Sequence, residues 1–197
     1  MKYRRGSNEQ DMIWKGYDMN LDKEGYPHRI GECVCYKNSG ICRITDIVTR
    51  EFAGMEPRVY YEMEPVFDRH TLLYVPTDST ALEQSMRRVL APQEIQGVIE
   101  ASQQYQDLWI EDEKVRASEY ETLLEEGDCS RILWLVKILS VHKREAEQNK
   151  KKLHAADTKI LETAEKMIEE EFAFALGIEK DQVIPYILER LQEKGTA

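Results

Sequence analysis

Between Ile30 and Pro76 the hydrophobic positions fall in short β-type runs: Cys33 to Tyr36, Ile41 to Val48, Arg58 to Glu64 and Thr71 to Val75. Turn chemistry bounds them. Asn38-Ser39-Gly40 separates the first two runs at hairpin length, and a stretch holding Gly54 and Pro57 separates the second from the third. The pattern predicts a small, curled antiparallel sheet or barrel of four or five strands. A unit of roughly 50 residues has a marginal core and little room for an enclosed active site, so its exposed edge is the expected working surface.

After Pro76 the period turns helical and is read as helical to the end, which puts a domain boundary near residues 77–82. A first helix starts at Pro92, with Ile95, Val98 and Ile99 on its apolar face. A second is expected from Ile110 to Glu126, with Val115, Tyr120, Leu123 and Leu124 turned inward and Gly127 as its stop. Asp128 caps a third, Ile132 to Glu145, apolar nearly all round and so central to a bundle. Asp157 is read as the cap of a fourth, whose inward face runs from Ile160 to Phe172 and which ends at Gly177. A short last helix covers Asp181 to Gln192, with Pro185 blurring its start. Nothing repeats at a fixed period. Residues 1–29 carry no sustained period and read as an extension or a purification scar, although Trp14 and Tyr17 offer rings that could dock.

The chain has 197 residues with a formal net charge of −10, yet its apolar residues are periodic rather than thinned out, which argues against wholesale disorder. No apolar stretch approaches the roughly 20 residues of a membrane span, and Met1-Lys2-Tyr3-Arg4-Arg5-Gly6-Ser7 leads into no signal segment, so a cytoplasmic protein is expected. Cys33, Cys35 and Cys42 crowd together while Cys129 stands alone. The C-x-C-x6-C spacing lacks the paired units of a zinc site and a fourth ligand at a familiar distance, so these thiols read as small apolar core residues in a reducing compartment. A redox sensor built on the same three is the sharper alternative.

Charge is distributed unevenly. Residues 81–130 hold twelve acids against four bases and residues 160–197 nine against four, whereas residues 131–159 hold eight bases against three acids. This basic island contains Lys150, Lys151, Lys152 and Lys159. Two readings stay open, a solvated helix end and a set of phosphate contacts too weak to bind DNA alone. His28, His70, His142 and His154 are scattered, and no nucleophile elbow, zincin or P-loop pattern occurs. No enzymatic activity, cofactor or metal is expected.

The run Ile30-Gly31-Glu32-Cys33-Val34-Cys35-Tyr36 through Gly40, followed by Ile44, Ile47, Arg50, Tyr60-Tyr61 and Tyr74-Val75-Pro76, resembles the RNA polymerase-interacting domain of the CarD family, shared with the transcription-repair coupling factor. The second half adds Trp109, Gly127-Asp128, Lys137, Leu153 to Asp157 with Lys159 and Leu161, and Glu170 to Ala173, which resemble that family's DNA-binding helical domain. The resemblance implies an α+β fold, with a small N-terminal antiparallel β-barrel of Tudor or SH3 type followed by an all-α bundle. It divides the chain into residues 1–29, an extension expected to be disordered, a polymerase-interacting domain at 30–80 and a helical DNA-contacting domain at 81–197.

The resemblance implies a bacterial transcription regulator that grips the polymerase β subunit by strand addition and touches promoter DNA just upstream of the melted region, stabilising the open complex. It implies a monomer associated with the nucleoid through polymerase. The family's polymerase-contacting arginine matches Arg50, a second basic position is Tyr74 here, and Phe52 lies on the same edge. The family's minor-groove wedge matches Trp109; Ile110-Glu111-Asp112-Glu113 stands where some members carry bases, so Lys114 and Arg116 are the expected substitutes. A polymerase-binding module that does not contact DNA is the alternative.

Overall fold

The computed structural model describes residues 26–52, 54, 56–68, 70–78, 86–106 and 109–195, which places Trp14, Tyr17 and most of the 1–29 extension outside the described residues. It has an α+β architecture. Among the described residues five strands, β1 (Cys33–Tyr36), β2 (Ile41–Arg50), β3 (Arg58–Pro65), β4 (Leu73–Pro76) and β5 (Met86–Arg88), form one antiparallel sheet in the order β4-β3-β2-β1-β5. Five helices follow: α1 (Pro92–Ser102), α2 (Glu113–Glu126), α3 (Cys129–Gln148), α4 (Ala155–Leu176) and α5 (Lys180–Gly195). None of the described helices is long and apolar enough to cross a membrane.

Alternation decides which side of each strand is buried. Val34, Cys42, Ile44, Ile47, Tyr61, Met63, Val75 and Met86 point to one face and make the sheet's core. Tyr26 and Ile30 pack against it from the preceding segment, and the His28 N–H donates to the Tyr61 hydroxyl at 3.2 Å. A register shift between Ile44 and Asp46 keeps Ile44 and Ile47 on the same face although they are three positions apart. Gly40 closes the first hairpin at φ 71°, and a Cβ there would run into the buried Glu170 carboxylate, so glycine is needed twice over.

The structure departs from the sequence pattern in four places. The helical reading does not hold all the way from Pro76, because Met86–Arg88 pairs with β1 as a fifth strand. The α2 helix starts at Glu113 rather than Ile110, since the Asp112 side chain accepts from the N–H groups of Lys114 and Val115. Its inner face therefore runs through Arg116, Tyr120, Leu123 and Leu124, and Val115 is exposed. Asp157 does not cap α4: His154 stands at the cap position, and the Asp157 carboxylate turns inward to Arg116. Pro185 lies inside α5, which continues through it.

The α3 helix is central, packed by α1, α2 and α4, with Ile132, Leu135, Ile138 and Leu139 almost wholly buried. Gly127 and Gly177 end α2 and α4 in the left-handed conformation. The sheet docks on this bundle through β5. While Met86 enters the sheet core, Arg87 points the opposite way and makes two 2.6 Å bonds to the two oxygens of Glu171 on α4, plus one to the Gly127 carbonyl at 3.1 Å. Glu171 also accepts from the Leu90 N–H and the Cys129 thiol. Burial alone would push this carboxyl up, but the Arg87 hydrogen bonds and charge prevail and hold it below the ordinary carboxylate range.

Candidate functional site

Two groups of residues singled out in the sequence are brought together, at different places. The first lies on the outer face of the sheet, beside its β4 edge. Because Tyr60 faces Pro76 and Glu62 faces Tyr74 across the β3–β4 ladder, and Arg50 faces Arg58 across β2–β3, alternation puts Arg50, Arg58, Tyr60, Glu62 and Tyr74 on one surface. Phe52, just past β2, closes over them.

The rings form a contiguous edge-to-face cluster. Phe52 lies 5.2 Å from Tyr60 and 5.6 Å from Tyr74, and Tyr60 lies 6.5 Å from Tyr74. The Arg50 guanidinium stands 5.7 Å from the Tyr74 ring and 3.8 Å from the Glu62 carboxylate, with about half its side chain exposed. Tyr74 thus gives Arg50 an aromatic face where a second base was sought. Tyr60, quoted among the residues of the resemblance, was not assigned to this surface, and its even spacing from Glu62 is the signal that places it there.

The β4 edge carries backbone groups as well. Thr77 donates to the Val59 carbonyl at 3.0 Å, and antiparallel alternation turns Val75 and Leu73 toward β3 in the same way. Tyr74 therefore directs its N–H and C=O away from the sheet, and Pro76 has no N–H to offer. Among the described residues nothing pairs with that side of β4, which can take an added strand next to a cationic aromatic cluster.

The second group surrounds Trp109, before α2. Its indole is half-buried against the bundle core. The His142 ring stacks on it with centroids 3.6 Å apart and 27° between planes, and the Arg116 guanidinium stands 4.2 Å from its centroid. Arg116, expected to reach phosphate, is instead buried: its Nε and Nη2 donate to the two oxygens of Asp157 at 3.0 and 2.7 Å, and its Nη1 to the carbonyls of Ile110 and Glu111. Those four bonds leave it no reach into solvent. His142 and Asp157 were not read as partners of Trp109, and only the tertiary structure joins residues this far apart in sequence.

The expected lysines lie near this end of the bundle. Lys114 is exposed in the first turn of α2, Lys150, Lys151 and Lys152 are exposed in the α3–α4 connection, and Lys159 is exposed on α4. Arg116 to Asp157 and Glu113 to His154, the latter at 3.3 Å, tie the start of α2 to the start of α4. Lys150 itself holds φ 56°. Its N–H reaches the Glu147 carbonyl and that of Lys151 the Ala146 carbonyl, so lysine occupies the position of a helix-terminating turn where glycine is least strained.

Cys35 and Cys129 both lie against the Glu171 carboxylate, but the three clustered cysteines do not share one face. Cys33 and Cys35 share one face of β1, whereas Cys42 faces Val34 on the other. Among the described residues no cluster of three or more potential ligands can hold a metal ion. Burial first, then neighbouring carboxylates, pushes the thiol of Cys42 up to about 12 and those of Cys35 and Cys129 higher still, so all three stay protonated at neutral pH and are poor nucleophiles.

Comparison with known families matches the segment that carries the first surface. Residues 28–90, from the segment docked on Tyr61 to the end of β5 and just beyond, match the CarD-like/TRCF RID domain family. No curated protein matches the chain.

Proposed function

From a chain whose residues 28–90 are a CarD-like RNA polymerase-interacting domain, a protein-interaction domain rather than a catalytic one, we propose a bacterial transcription regulator that also contacts promoter DNA. The sheet binds the polymerase β subunit, with the open β4 edge accepting a strand and Arg50, Phe52 and Tyr74 supplying charge and aromatic area. The helical unit touches DNA upstream of the melted region through Trp109, with Lys114, Lys150, Lys151, Lys152 and Lys159 near phosphates. The open complex is stabilised as a result. The small sheet domain is Tudor-like in this reading, and the protein acts as a monomer held at the nucleoid by polymerase.

The observation that carries the DNA part is the gathering of Trp109 and an exposed lysine loop at one end of an otherwise acidic bundle. A handful of phosphate contacts on a chain of net charge −10 is weak by itself. Tethering to polymerase raises the local concentration and makes weak contacts sufficient. The lifetime of a preformed open complex, challenged with competitor DNA, tests this. Trp109→Ala should shorten it while leaving polymerase binding unchanged. An unchanged lifetime, with no salt dependence of promoter retention, favours the module that binds polymerase without touching DNA.

Lys150 separates structure from function by sign. Lys150→Gly relieves a left-handed lysine and should raise stability by about 1 kcal/mol, while removing a charge from the phosphate surface. Raised thermal stability with weakened promoter retention is the expected pair of results. Raised stability with undiminished retention would return this lysine to a solvated helix end.

A further inference from the structure

We propose that Arg116 is the positioning residue of Trp109, fixing the indole from one face, and that His142 covers the opposite face only until DNA engages the ring. This rests on the reading of Trp109 as a DNA contact and assigns the residues that set it. At 4.2 and 3.6 Å from one centroid, the guanidinium and the imidazole are too close to the ring to share a side, so the indole is sandwiched.

The two walls are unequal. Arg116 has 3% of its side chain exposed, its fork is closed on Asp157, which is fully buried, and its remaining bonds go to the two carbonyls directly after Trp109. The guanidinium plane is thus locked to α4 and to the backbone that carries the indole, and the ring lying on it inherits that orientation. His142 is 29% exposed, and among the described residues its one ion pair is at 3.4 Å, with Glu145 on its own helix. A side-chain rotation removes it without breaking a buried bond. A ring with one fixed and one removable cover can expose a face to an unstacked base while its position stays set, which is the preorganisation a wedge requires.

Full-length protein labelled with 5-fluorotryptophan gives one fluorine resonance for each of Trp14, Trp109 and Trp134, assigned by single Trp→Phe replacements. Arg116→Lys keeps the charge but not the planar fork; the double variant Arg116→Met, Asp157→Leu removes both buried charges so that neither is orphaned. In both, the Trp109 resonance should shift or broaden while that of Trp134 holds, and the open-complex lifetime should fall to that of Trp109→Ala, with no further loss when Trp109→Ala is added. His142→Ala should leave the lifetime at or above the wild-type value.

A Trp109 resonance unmoved in both variants, or a wild-type lifetime in both, overturns the positioning role, and a lifetime shortened by His142→Ala overturns the removable cover. If Trp109→Ala itself leaves the lifetime intact, the DNA reading fails instead, and the fluorine shift in the free protein still decides whether Arg116 sets the ring.

Discussion

An Arg50→Glu variant is expected to lose retention on RNA polymerase and on its isolated β subunit while melting at the wild-type temperature. In the free protein Arg50 contributes little to the fold. Its 3.8 Å pair with Glu62 is half-exposed, and its 5.7 Å approach to Tyr74 is a solvated cation–π contact, each about 0.5–1 kcal/mol at most. Against a partner, the same guanidinium loses its water beside three aromatic rings. Truncating one member of a desolvated, hydrogen-bonded charge pair costs about 2–5 kcal/mol, roughly thirtyfold or more in affinity, and charge reversal adds repulsion. Pull-down with wild type and variant side by side reads the result. Equal retention of the two would move the polymerase interface off this cluster and along the β4 edge, where Tyr74→Pro, which deletes an outward N–H, becomes the next probe.

Arg50, Phe52 and Tyr74 were picked out by the family resemblance, and what brings them to one surface is local information. Two-residue alternation fixes the face of a strand, and turn residues fix where strands pair. The same holds for the α1 start at Pro92, the Asp128 cap of α3 and the glycine stops of α2 and α4. The Arg116 side chain was misread for the complementary reason. Hydrophobic periodicity assigns inward positions to apolar residues, so Val115 was turned in and Arg116 out, although Arg116, Tyr120, Leu123 and Leu124 share one helical face. A buried arginine is tolerated because a buried carboxylate on another helix matches it, and Asp157 lies 41 positions away. Nothing local predicts that pairing. Met86–Arg88 escaped notice similarly, since three residues give no usable period and strand formation there depends on β1 already being in place.

The other long-range carboxylate, Glu171, leads to the largest expected effect on stability. Glu171→Ala leaves Arg87 facing the bundle without its partner, orphans the Leu90 N–H, and frees the Cys129 thiol. Breaking such a buried pair costs about 3–5 kcal/mol, a large share of the 5–15 kcal/mol that holds a typical domain together. At roughly 2–4 °C per kcal/mol for a chain of this size, the melting temperature should fall by about 6–20 °C. Glu171→Gln preserves the shape and can still accept from Leu90, so it should lose distinctly less. The damage should begin in the sheet, because a unit of some 60 residues buries too little to be robust alone and β5 is the strand through which it docks. Hydrogen exchange should accelerate at the β1 and β5 amides before the core of α3 responds. Acid should imitate the substitution. The Glu171 carboxyl is held below its unfolded value, so its contribution is complete above the ordinary glutamate pKa of about 4.3 and is lost as the pH falls through the lower, folded value. In the Glu171→Gln protein that step of acid sensitivity should disappear. If it persists undiminished, other carboxylates govern acid unfolding and the junction of sheet and bundle rests on apolar packing rather than on the Arg87 pair.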